Sequence, residues 1–217
     1  MRLFVARHGT AFEHDGDKRY LGVKEDPTLS SAGRRQSETL ARALRRRGVR
    51  GGMIVAGPQR RQQETAAILA KKLGMARVAS APALSEIDYG PWEGLSKEEI
   101  LAKWPEESRA WKKEGVWPAA IFGGSFEATR ARLGDWLSHL KGVGEEMVVA
   151  VTSQGTLRAL FALADPEGWK ASCAAGRATE ANVGNGHWCE LEIGSGGTSV
   201  TRWNAAPSFV DRLPFLG

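Results

Sequence analysis

Four short polar clusters in this chain combine residue types that handle anions and protons. Arg7-His8-Gly9 stands directly behind the apolar run Leu3-Phe4-Val5-Ala6. An arginine and a histidine delivered together offer a cation and a nucleophile or base at one point. Gly57-Pro58-Gln59-Arg60-Arg61 sets one or two arginines on the first turn of a helix. Helix N-termini attract anions, and an arginine there adds a two-pronged donor. Ser153-Gln154-Gly155 offers a hydroxyl, an amide and unpaired backbone N–H groups. Glu86, between Leu84-Ser85 and Ile87, is the natural general acid, because apolar neighbours raise a carboxyl pKa. Asp88 and Glu93 compete for that role on pattern alone.

These clusters need elements that bring them together. Leu3–Ala6 reads as a buried strand ending in a loop, and ligands of open α/β sheets sit at such strand tips. Gly9, without a Cβ, lets the backbone pass close to whatever is bound. A helix capped by Ser30 or Ser31 runs to about Arg47, with Leu40, Ala41 and Leu44 on one face and Gly48 closing it. Met53–Ala56 is a second strand, followed by a helix from about Arg60 to Leu73. A third strand lies near Arg77-Val78-Ala79. A helix at about 125–141 precedes the strongest strand, Met147–Val151, and another helix spans 156–164. Residues 186–203 alternate as a hairpin turning at Gly194–Gly197. Strand and helix alternation argues for an α/β fold with a mostly parallel sheet and helices on both faces. The Gly- and Pro-punctuated stretch at about 85–124, with Trp92, Trp104, Trp111 and Trp117, reads as a small helical cap packed by its tryptophans. Three converging strand tips place two or more cations around one histidine, which suits a phosphoryl group better than a carboxylate or a sugar.

Composition bounds the rest. At 217 residues, 42% hydrophobic and 25% charged, the chain is sized for one globular domain, 1–217, with the cap inserted. No apolar stretch approaches the ~18 residues that span a membrane. The N-terminus enters a strand without the pattern of a signal peptide, and Cys173 and Cys189 form neither a disulfide framework nor a metal-ligand spacing, so a cytoplasmic protein is expected. The net charge of +5 favours anionic ligands. Arg45-Arg46-Arg47 with Arg50 reads as a solvated helix end rather than a nucleic-acid surface.

Taken in order, Arg7-His8-Gly9, Asp26-Pro27-Thr28-Leu29-Ser30 with Gly33, Gly57-Pro58 with Arg61 and Thr65-Ala66, and Leu84-Ser85-Glu86 with Gly90 and Trp92-Glu93-Gly94 resemble successive motifs of the histidine phosphatase superfamily. The resemblance extends to Leu160. It implies a three-layer, phosphoglycerate mutase-like fold. It also implies a phosphohistidine on His8, with Arg7 and Arg61 on the phosphate oxygens and Glu86 as proton donor, acting without metal or cofactor. Phosphomonoester hydrolysis follows, with a phosphorylated small molecule or phosphoprotein as partner. A phosphoglycerate mutase-type transferase and a phospholigand-binding protein with weak turnover are the alternatives.

The chain departs from the family's second histidine. Aligning on Leu157-Arg158 puts Ser153 at that position, the preferred placement, whereas aligning on Gly155 selects Gln154. Neither carries positive charge, and losing one preorganised donor typically costs about 100- to 1000-fold in rate. Reduced activity is therefore expected. His14, near the place of a family asparagine, either adds to the phosphate pocket or lies on the surface. His139 and His187 match no motif.

Overall fold

The computed structural model describes residues 1–207. Six strands form one mixed sheet: β1 (Arg2–Arg7), β2 (Met53–Ala56), β3 (Val78–Ser80), β4 (Met147–Thr152), β5 (Trp188–Gly194) and β6 (Gly197–Ala205). Their order is β3-β2-β4-β1-β5-β6. The first four are mutually parallel, and β5 and β6 add an antiparallel hairpin beside β1. The strand apolar runs are unbroken because both faces are covered. Leu3, Val5, Val148 and Ala150 pack on one face, whereas Phe4, Ala6, Val149 and Val151 pack on the other.

The second face is covered by α1 (Ser31–Arg46) and α2 (Arg60–Leu73), through Leu40, Leu44, Leu69 and Leu73. Ser30 caps α1 by accepting from the Gly33 N–H at 3.0 Å. Gly74, at φ +72°, closes α2 in the left-handed region that a side chain disfavours. The first face is covered by α5 (Phe126–Lys141) and α6 (Gln154–Ala164), through Leu133, Leu137, Leu157 and Leu160. Between β3 and α5, α3 (Lys97–Lys103), α4 (Pro105–Arg109) and a π turn (Ala110–Glu114) run over one end of the sheet. Phe122 is the hub of their aromatic packing, meeting Tyr89, Trp92, Trp111 and Trp117 edge-on at centroid distances of 4.9–5.5 Å. Edge-on ring pairs of this kind each contribute roughly 0.5–1.5 kcal/mol beyond their buried area.

The differences from the sequence expectation are local. β3 lies one residue later than read, and α6 starts at Gln154 rather than at 156. A helix not foreseen, α7 (Pro166–Ala174), follows α6 at once, because Asp165 ends one helix and caps the next, its carboxylate accepting from the Gly168 N–H at 3.0 Å. In the basic run, Arg47 pairs with Glu190 at 2.9 Å and Arg45 donates to the Lys72 carbonyl. No helix of the described residues is long and apolar enough to cross a membrane.

Candidate active site

The C-terminal tips of β1 and β4 open into a cavity of about 380 Å³. Arg7, His8, Glu86 and Gln154 line it together with Tyr20, Trp111, Lys112, Arg158 and Asn182. His8 follows the last residue of β1, and its N–H donates to the Thr152 carbonyl at the tip of β4. The next turn is held by close approach: a Cβ on Gly9 would strike the Gly33 carbonyl, and one on Gly33 would strike the Thr10 carbonyl. Gly9 is thus required by the start of α1, not by a ligand. Its N–H donates to Thr65 Oγ1 at 3.1 Å, and that hydroxyl donates to the Arg61 carbonyl.

His8 is 5% exposed. Its Nδ1 lies 2.7 Å from the Gly9 carbonyl oxygen, which places the ring proton on Nδ1 and leaves Nε2 with its lone pair. Burial, then Arg61 and Arg7, hold its pKa well below the ordinary histidine value. The imidazole is therefore neutral at neutral pH. Arg61 Nε stands 3.3 Å from His8 Nε2. Fully buried, Arg61 donates to the carbonyls of Leu21, Gly22 and Glu25, and lies 3.6 Å from Asp26. Arg7 donates through Nη1 to the Val183 carbonyl at 2.8 Å and to Gln154 Oε1 at 3.3 Å, while its buried Nε has no partner.

Glu86 lies on the loop after β3. That loop is tied down by Thr152 Oγ1 on the Leu84 carbonyl and by Arg132 and Thr156 on the Ser85 carbonyl. Its carboxylate accepts from the N–H groups of Ile87, Gly155 and Thr156 at 2.9–3.1 Å. Burial raises its pKa against the opposing pull of those N–H groups and of Arg61. Such a carboxyl is poised to exchange a proton. The competitors have other engagements. Glu93 gathers the N–H groups of Val23, Lys24 and Glu25, Asp88 accepts from Gly90, and neither lines the cavity.

The structure thus brings Arg7, His8, Glu86 and Gln154 to one cavity, with Arg61 fully buried behind His8 and outside the lining. It does not bring in His14, which is exposed ahead of a short turn at Asp15–Asp17. The reason is local: the neighbouring Glu13 binds the N–H and hydroxyl of Ser31, anchoring the turn to the start of α1. Ser153 is fully buried, outside the cavity lining, with its Oγ accepting from Gln62 Nε2 at 2.7 Å. The polar side chain of β4's tip that faces the cavity is Gln154. Sequence reasoning passed over Arg158, although a single charge inside Leu157-Arg158-Ala159-Leu160 marked it. Asn182 and Asn185 had no such signal.

The family model for the histidine phosphatase superfamily (branch 1) matches residues 3–206. Phosphoserine phosphatase 1 of Hydrogenobacter thermophilus is 30% identical over 162 residues, covering 74% of each chain. A 2,3-bisphosphoglycerate-dependent phosphoglycerate mutase of Allorhizobium ampelinum is 30% identical over 172 residues, 75% of this chain and 79% of the other. Among solved structures, a mycobacterial glucosyl-3-phosphoglycerate phosphatase superposes with a TM-score of 0.78 at 28% identity, covering 94% of this chain and 98% of its own.

Proposed function

The chain belongs to branch 1 of the histidine phosphatase superfamily, and from that premise we propose that it hydrolyses phosphomonoesters through a phosphohistidine on His8. The observation that carries this reading is the buried His8, its Nδ1 held on the Gly9 carbonyl and its Nε2 beside Arg61, in the wall of a cavity that Arg7 and Glu86 also line. The Nε2 lone pair gives up the N–H it accepts from Arg61 Nε and attacks phosphorus as the ester P–O bond breaks. Arg7, in the cavity wall, takes an equatorial oxygen, and Arg61, buried behind Nε2, adds its charge. The unpartnered Arg7 Nε is free to take that oxygen. Glu86 gives its proton to the departing alkoxide. Water then attacks the phosphohistidine, Glu86 takes the water proton, and the N–P bond breaks to return neutral His8 and inorganic phosphate. No step requires a metal ion, since two guanidiniums supply the charge. The stretch at about 85–124 serves as the cap that shapes the leaving-group side.

His8→Ala is expected to abolish phosphate release from p-nitrophenyl phosphate in the presence of EDTA. The wild-type protein should yield an acid-labile, alkali-stable phosphoprotein on quenching; turnover unchanged in His8→Ala would overturn the assignment. A phospholigand-binding protein with weak turnover is the second reading. Its support is the stretch that the resemblance aligns with the family's second imidazole, where Ser153, turned to Gln62, and Gln154, the alternative placement, are both neutral. Calorimetric phosphate binding without a trapped phosphohistidine would favour it, and transfer between phosphoglycerates without net phosphate release would favour a mutase.

A further inference from the structure

The cavity is larger than a phosphoryl group needs, and its charge is lopsided. Glu86 is the one carboxylate lining it among the described residues. Of the cations away from His8, Lys18 is paired with Asp15 and Arg19 is bonded to backbone carbonyls. Arg158, Lys97 and Lys112 form no ion pair among the described residues. Arg158 is 3% exposed. Its guanidinium carbon sits 3.8 Å from the Trp111 ring centroid and 5.4 Å from that of Trp169. Nη2 donates to the Trp111 carbonyl at 2.8 Å, and the buried Nε has no partner. Burial, opposed mainly by Tyr89, brings its pKa down to about 10, so the charge is retained at neutral pH. Lys112, one residue beyond Trp111, is held below its ordinary value by burial and by the like charge of Lys97, against the opposing pull of Glu98. A cation removed from water without an anion is costly, and the half-buried Lys112 and exposed Lys97 line the same cavity.

Arg158 is not among the charges acting on His8, which are Arg61 and Arg7. Tyr89 lines the same cavity and is acted on by both Arg7 and Arg158. We propose that Arg158, with Lys112 and Lys97, forms a second oxyanion subsite that holds a carboxylate or further phosphate carried by the leaving group. The preferred substrates are then phosphomonoesters of acidic alcohols. Tyr20, in the same cavity wall, lies along the carbon skeleton between the two anions, and Arg158, backed by the Trp111 ring, selects substrate without touching the reacting atoms.

In its kinetic form this inference rests on the phosphatase reading. The test compares matched pairs: 3-phosphoglycerate against glycerol 3-phosphate, and propane-1,3-diol bisphosphate against its monophosphate. For the wild-type protein, kcat/KM should favour the acidic member by about 10- to 100-fold, the range for a hydrogen-bonded charge, and the preference should shrink with added salt. Arg158→Met, which keeps the packing between the two tryptophans, should bring the ratio to within about threefold of one, mainly through KM. Arg158→Lys should retain part of the preference. Lys112→Gln, on the turn rather than in the core, should lower the ratio even if Arg158 variants fail to fold. A preference confined to one pair tells a carboxylate site from a phosphate site. A wild-type ratio near one, or an equal loss on both members in Arg158→Met, overturns the subsite and leaves Arg158 a structural staple. If no ester is turned over, the phosphatase reading fails separately. The same pairs are then compared as affinities by calorimetry on His8→Ala protein, where equal affinities overturn the subsite.

Discussion

The neighbouring parallel strands β1 and β4 end side by side, and their tips are put to opposite uses. β1 delivers one charge, the guanidinium of Arg7, with the neutral imidazole of His8 behind it. β4 delivers none: Thr152, Ser153 and Gln154 are neutral. The N-terminus of the helix behind β4 would ordinarily be a ready anion site. Here its free N–H groups, from Gly155 and Thr156, are taken by the protein's own Glu86. Ser153, at the capping position, makes no side-chain cap because Glu86 does that work from another loop. One tip sets a guanidinium beside an imidazole, while the helix behind the other holds a carboxylate.

Substitutions test that division of labour. The largest effect after His8 itself belongs to Glu86→Gln, expected to lower turnover by about 10²- to 10⁴-fold. With His8 needed neutral and held well below its ordinary value, wild-type activity should persist below the usual histidine range as pH falls. With Glu86 needed protonated and its pKa raised by burial, activity should decline as pH rises through that raised value. The pH–rate profile of Glu86→Gln should lack this alkaline limb; its survival would assign the limb to another group. Arg7→Met comes next, with a loss of about 100- to 1000-fold in kcat/KM. Weaker inhibition by inorganic phosphate should accompany it, and unchanged inhibition would remove Arg7 from the anion site. The smallest effects separate the two residues that the sequence left competing. Gln154→Ala, which frees Arg7 Nη1 from its side-chain acceptor, should cost about tenfold in kcat/KM. Ser153→Ala should hold kcat/KM within about threefold while leaving Gln62 Nε2 with only its longer bond to the Leu84 carbonyl, at about 0.5–1.5 kcal/mol of unfolding free energy. The reverse ranking would return Ser153 to the phosphate.

Much of this organisation is written in local signals. β2 and α2 were bounded correctly because Gly57-Pro58 and Gly74 punctuate them, and His8, Arg61 and Glu86 lie where ordered motifs indicate. What stayed hidden depends on contacts between distant segments. Glu86, Asp88 and Glu93 look alike along the chain; only the meeting of Glu86 with the start of α6 and of Glu93 with residues 23–25 tells them apart. Ser153 and Gln154 differ by one residue, and which of them faces the cavity is decided by Gln62, far upstream. The Arg158 end is assembled by the π turn, α6 and the turn after α7, short pieces without enough periodicity to announce themselves.

The segment at 21–26 is gripped from two directions, its N–H groups by Glu93 and its carbonyls by Arg61. The same guanidinium that fastens this stretch also touches the imidazole of His8. Tyr20 and Leu21, at the start of that stretch, belong to the cavity wall. The cavity wall and the charge beside His8 are therefore coupled through a single side chain. Loosening of the loop is expected to reach the imidazole through that guanidinium.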